Sequence, residues 1–335
     1  REEHRTFLYR KGKECSRLVE LLHSTSSIME LYVRIEQIIA RFRPAFSRET
    51  PFEWFVLLLW GALLSHQPAA VTSYLNGLGL GEADYHRALH WFKSQAFRMD
   101  AVCLRWGRWL SSHPQVKALK GQRVYAGDGI KVSKEGRKMP GVKGLHQESE
   151  DVNKPEWIRG HYFSALSLLL GSGNALFAVP IVLKLHDGID PISSSELTLV
   201  DKMASVCVSF MVTGSYALLD AYYASAKVLR PFRASGLHLI SRAPISTVAR
   251  APFSANASVR GPGRPRKWGS PIKLRELFAP VETCESTQVW LYGKSQLVYY
   301  QTFEFFWDTH DVLVLFVLAQ LPNGKQIILL SSDTT

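Results

Sequence analysis

Apolar residues recur at helical spacing up to about residue 115 and at strand spacing afterwards. In the first part, "TPFE" (50–53) predicts a helix start. Thr50 would cap, Pro51 would take the first helical position and Glu53 would reach back to the cap. That helix should run to about Leu64. Residues 68–97 then read as a short helix, a glycine-rich turn and a second helix, a unit shared by DNA-reading proteins and ordinary bundles. Trp54, Trp60, Trp91 and Phe92 are expected in its core. A polar connection, "SSHPQVKALKGQR" (111–123), closes this region.

From Val124 the period changes to that of strands. "VYAGDGIKV" (124–132) reads as strand one, followed by a basic, glycine-rich loop over 133–155. "WIRGHYFSALSLLLGSG" and "NALFAVPIVLKLHDG" read as strands two and three. The apolar run 162–185 is long enough to span a bilayer, but "GSGN" divides it, so a hairpin is expected and no membrane segment. A helix over 193–211 is expected to start on a Ser193/Glu196 capping box. Its apolar face should hold Leu197, Val200, Met203, Ala204 and Val208. "SYALLDAYYAS" (215–225) reads as strand four, then a helical segment ended by Gly236 and a strand in "LHLISRAP". Later strands fall at 287–306, 312–320 and 326–331. Three strands, helix, strand, helix, strand implies an antiparallel meander extended by parallel strands. The expected class is α/β: a ribonuclease H-like mixed sheet with flanking helices, preceded by an all-helical N-terminal domain.

Charge sharpens this picture. The 335 residues carry a formal net charge of +11. Between Asp220 and Glu276 there is no acid, and eleven Lys and Arg residues fall there. A concentrated basic window predicts a polyanion partner, nucleic acid first. Within it Arg260, Arg264, Arg266, Lys267, Lys273 and Arg275 are the candidate DNA contacts; "GPGRPRK" (261–267) has the look of an AT-hook core, or of a basic loop that grips phosphate. Cys15, Cys103, Cys207 and Cys284 lie far apart, which argues against a zinc site or a disulfide framework and fits a reducing, cytoplasmic compartment.

Two aspartates carry the candidate chemistry. Asp128 stands between two glycines inside a strand pattern, and "DG" there also fits a tight hairpin turn. Asp220 follows an apolar run and has no turn residue beside it. A carboxylate in such a place is costly unless something binds it. Two carboxylates on neighbouring strands suit a pair of hard divalent cations, the arrangement used in phosphoryl transfer.

"VYAGDGIKV", "WIRGHYFSALSLLLG", "LLDAYYAS" and "GRPRKWG" with "IKLRELF" together resemble the DDE transposases of bacterial insertion sequences, over roughly residues 120–335. The resemblance implies metal-dependent cleavage of double-stranded DNA at transposon ends and strand transfer into target DNA. It implies two Mg²⁺ or Mn²⁺ ions, with Asp128 binding both and Asp220 one, and a nucleoid-associated protein able to act as a homodimer on DNA. It divides the chain into a helical DNA-binding domain (1–118) and a catalytic domain (119–335) with a β-rich insertion over about 245–310. The family's third acid, a Glu on a helix after the last core strand, has no match here, and is expected beyond Thr335. Glu276 in "LRELF" is the one upstream candidate; Glu304 and Asp308 read as structural. Two other readings follow from the same residues: a decayed transposase that binds DNA without catalysis, and a ribonuclease H-like nuclease without strand transfer.

Overall fold

The computed structural model describes residues 26–136, 139–147, 155–173, 175–186, 197–252, 268–291, 293–307 and 312–335. The chain forms two compact units, Arg1–Trp106 and Gly107–Thr335.

The described part of the first unit is helical: α1 (Ser26–Ala40), α2 (Glu49–Leu64), α3 (Val71–Gly77), α4 (Glu82–Phe92) and α5 (Met99–Ser111), the last crossing the division. Phe42, Phe46, Trp54, Leu58, Leu75, Ala88, Trp91 and Val102 form its core. The indole N–H of buried Trp91 donates to the Pro51 carbonyl at 2.7 Å, which satisfies its one polar atom. Phe92, expected inside, is 52% exposed. The start of α2 also differs from expectation. Arg48 is the N-cap, without a side-chain bond, and Thr50 and Pro51 already lie within the first turn. Glu49 holds this end instead, paired with Arg43 at 2.7 Å, where a carboxylate meets the positive end of the helix dipole. Gly61 lets α2 and α3 touch: a Cβ there would meet the Tyr74 carbonyl oxygen at 2.6 Å.

The second unit is built on one sheet. In chain order its elements are β1 (Ala118–Leu119), β2 (Gln122–Ser133), β3 (Lys143–His146), β4 (Trp157–Ser172), β5 (Ala175–Leu185), α6 (Leu199–Phe210), β6 (Tyr216–Leu219), α7 (Ala226–Ala234), β7 (His238–Ala243), β8 (Val248–Pro252), β9 (Trp268–Lys273), β10 (Glu285–Leu291), β11 (Lys294–Phe306), β12 (Leu313–Gln320) and β13 (Gln326–Ser331). The strands run β3-β4-β2-β6-β7-β13-β12-β11-β8-β9, with β5 on β4, β10 on β11 and β1 on β2. β2, β6 and β7 are parallel to one another, while β4 and β13 flank them antiparallel. This is the mixed sheet that the element order implies. Strands β8 to β11 lie within 245–310 and extend the same sheet. The run 162–185 is the β4–β5 hairpin, and no helix among the described residues is long and apolar enough to cross a membrane.

One face of the sheet is dry. Tyr125, Ala217, Leu219, Leu239, Phe316, Leu318, Ile328 and Leu330 are all buried there, and α6 packs against β2, β4 and β5. Burying each large apolar side chain contributes about 1.5–3 kcal/mol, so this face dominates the stability of the unit. The expected start of α6 is corrected. Its capping box is Thr198 with Asp201: the Thr198 Oγ1 accepts from the Asp201 N–H, and the Asp201 carboxylate accepts from the Thr198 N–H at 2.8 Å. Ser193 and Glu196 lie outside the described residues. The buried face is accordingly Met203, Ala204, Val206, Cys207 and Phe210, while Leu197 and Val208 are exposed.

Candidate functional site

Asp128 lies inside a continuous strand. β2 runs unbroken from Gln122 to Ser133, with Asp128 opposite Ala165 of β4, so the hairpin-turn reading of "DG" does not hold. The two glycines have a packing reason. Strand alternation turns positions 127 and 129 to the covered face and position 128 to the other. A Cβ at Gly127 would meet Leu219 Cδ2 at 2.6 Å and Met203 Sδ at 3.4 Å. A Cβ at Gly129 would run into the Tyr162 hydroxyl and come within 2.8 Å of the Tyr223 hydroxyl. The sheet therefore needs both glycines to be thin exactly where Asp128 projects from its opposite, exposed side.

Asp220 lies just past a strand end. The expected strand over 215–225 stops at Leu219, and Asp220 caps a 3₁₀ turn (Ala221–Tyr223), its Oδ1 accepting from the Ala221 N–H at 2.6 Å. The reason is local: a short polar side chain satisfies the first free N–H of the turn, which the ladder would otherwise have to do. β2 and β6 are parallel with Gly127 opposite Leu219. Asp128 and Asp220 are the next residues on each chain, so they stand level on backbones about 4.8 Å apart. The Ser241 hydroxyl of β7 donates to the Asp220 carbonyl at 3.0 Å and fixes the strand end.

Both carboxylates are exposed, and no Lys or Arg among the described residues pairs with either. Asp128 Oδ1 accepts from the Gly129 N–H at 2.7 Å, leaving Oδ2 open. Behind them, on the covered face, the Tyr162 and Tyr223 hydroxyls bond to each other at 3.0 Å. Burial, the Tyr162 hydroxyl and the nearby negative Asp128 push the Tyr223 phenol well above its usual range, so it stays a neutral hydrogen-bonding group. Sequence reasoning missed this tyrosine pair; the glycine opposite it was the available signal. The donor chemistry fits a hard divalent cation: two adjacent carboxylates, each with an oxygen to spare. Among the described residues no third His, Cys, Asp or Glu joins them.

The other candidates are dispersed. Arg260, Arg264, Arg266 and Lys267, with the whole "GPGRPRK" segment, lie outside the described residues, as does Asp308. Lys273 ends β9 and Arg275 follows it, both exposed, at the far end of the strand path from β2. Glu276 is beside them, paired with Lys273 at 3.5 Å. Glu304 is an exposed residue of β11 opposite Leu315. His161 is a satisfied sheet histidine: it is 8% exposed and bonds the Pro140 carbonyl at 2.9 Å. His186, at the end of β5, is fully buried on the Ser164 hydroxyl at 2.7 Å.

No family model and no curated protein matches this sequence. Among solved structures, the chain is similar to the piggyBac transposase in a synaptic complex with hairpin DNA. The TM-score is 0.35 and the identity 13%, over 89% of this chain and 59% of that one. The chain thus spans less than two thirds of that neighbour's length.

Proposed function

We propose that this chain carries the catalytic core of a DNA transposase of the DDE type, on a ribonuclease H-like sheet. The observation that carries the reading is the parallel register of β2 and β6, which brings level with each other two exposed carboxylates that no described Lys or Arg pairs with. The strand order β5-β4-β2-β6-β7 supports it, since the neighbouring parallel strands β2 and β6 set both acids at one level of the sheet. Asp128 and Asp220 would hold Mg²⁺ or Mn²⁺. When bound, such ions activate an attacking oxygen and steady a leaving one. The protein's own part is to fix both carboxylates from behind, through the Gly129 and Ala221 N–H groups and the Ser241 tie to Asp220. The basic window would grip the DNA backbone, and residues 1–118 would add a helical DNA-binding domain. The test is Mg²⁺- or Mn²⁺-dependent nicking of duplex DNA by the chain, beside Asp128→Ala and Asp220→Ala. Nicking that survives either substitution refutes the assignment.

One observation favours a second reading, DNA binding without cleavage. Among the described residues the pair has no third ligand. Salt-sensitive DNA binding with no nicking in either metal would select this alternative.

A further inference from the structure

A third polar side chain stands in line with the two aspartates. β6 and β7 are parallel with Leu219 opposite Ser241. Arg242 is therefore level with Asp220, just as Asp220 is level with Asp128. Strand alternation puts Arg242 on the face opposite buried Ser241 and Ala243, and it is exposed. On its other side β13 offers Leu329, not an acid. Backbones about 4.8 Å apart would let a guanidinium fold onto the neighbouring carboxylate. It does not: the Arg242 side chain forms no ion pair or hydrogen bond among the described residues, and it is the Arg242 carbonyl that accepts from the Ser241 hydroxyl, at 3.5 Å. Three adjacent parallel strands thus present carboxylate, carboxylate and guanidinium in a row, each open to solvent.

A planar guanidinium fork matches two oxygens of a phosphate, and it remains charged at any working pH. We propose that Arg242 is the phosphate-binding residue of this site. It would take the non-bridging oxygens of a DNA phosphodiester whose other side faces cations held by Asp128 and Asp220. The proposal rests on the reading under Proposed function and adds to it the group that orients the scissile phosphate. Its cation side neutralises the carboxylates and its guanidinium side anchors the anion, so neither part suffices alone.

The experiment separates the two ideas. Mn²⁺ binding to the 335-residue chain without DNA is measured by calorimetry. Affinity for a fluorescein-labelled duplex DNA is then followed over a salt series, with Mn²⁺ and with chelator. The wild type should bind Mn²⁺ and gain DNA affinity from it. Arg242→Gln should keep its melting temperature and still bind Mn²⁺, but lose about 10- to 100-fold of the Mn²⁺-dependent affinity, the scale of a charge-assisted hydrogen bond. Its salt slope should fall by about 0.9, one phosphate contact. Arg242→Lys should recover part of the affinity, because charge returns without the fork. Asp128→Asn and Asp220→Asn should lose Mn²⁺ binding itself. If Arg242→Gln binds Mn²⁺ and keeps the full Mn²⁺-dependent affinity, the proposal is wrong while the two-aspartate reading stands. If the wild type does not bind Mn²⁺, the underlying reading fails and takes this proposal with it.

Discussion

Gly129→Ala tests why the aspartate is flanked by glycine. The added methyl would overlap the Tyr162 hydroxyl and lie 2.8 Å from that of Tyr223. Both tyrosines are almost fully buried, at 4% and 2% exposure, so neither ring has room to retreat. Overpacking of this kind costs about 1–3 kcal/mol. Prising apart the 3.0 Å Tyr–Tyr bond adds about 1 kcal/mol. The sum, about 2–4 kcal/mol, should lower Tm by roughly 5–15 °C in a unit of this size. Differential scanning calorimetry measures it directly. The mechanism is isolated by repeating the substitution in a Tyr162→Phe background, which removes the oxygen that the methyl meets first. Gly129→Ala should then cost at least about 1 kcal/mol less, a coupling typical of residues in contact. The ring carbon bearing that oxygen stays 2.6 Å from the new methyl, so relief should be incomplete. A Gly129→Ala protein that melts with the wild type, or a cycle that is strictly additive, would refute the close-approach account.

Asp333 should govern the acid stability of the second unit. It is 7% exposed and bonded by Lys120 at 2.9 Å, by the Tyr216 hydroxyl and by Thr335. Burial alone would raise its pKa, but the hydrogen bonds from Thr335, Tyr216 and Lys120 outweigh it and hold the carboxyl well below the usual range. A lowered folded-state pKa means the stabilisation is present above the ordinary carboxylate range and is lost as pH falls through and below about 4. Asp333→Asn should therefore cost about 2–4 kcal/mol at pH 7 and flatten the acid limb of a pH–stability curve; an unchanged limb would count against it. Thr198→Ala removes the capping oxygen of α6 and should cost about 1 kcal/mol in urea denaturation, with the effect absent from Thr198→Ser. Gly61→Ala pits two effects against each other. Helix propensity favours Ala by about 1 kcal/mol, but the Tyr74 carbonyl at 2.6 Å should make the change destabilising by about 1–3 kcal/mol; a raised Tm would show that α2 and α3 can separate freely.

The order of elements was legible because period does not depend on partners. β12 and β13 fall within one residue of the strands read from alternation, whereas the single strand expected over 287–306 is the antiparallel hairpin of β10 and β11. What stayed hidden depends on contacts. β3 is four residues in a glycine-rich loop and is a strand only because β4 pairs with it, Lys143 opposite Gly160. The capping box of α6 was misread because "SSSE" fits the usual Ser/Thr-x-x-Glu pattern better than Thr198–Asp201, although the latter makes both bonds. The site shows the same division. The two aspartates were visible as carboxylates out of place, but their local reasons were not. Asp128 is strand-borne because two glycines thin the sheet beneath it, and Asp220 is exposed because it caps a turn rather than continuing a strand. Arg242 was one base among eleven in the acid-free window. Nothing in the sequence around it sets it apart; only the register of three parallel strands does. Identity announces which groups could do chemistry, and pairing decides which of them meet.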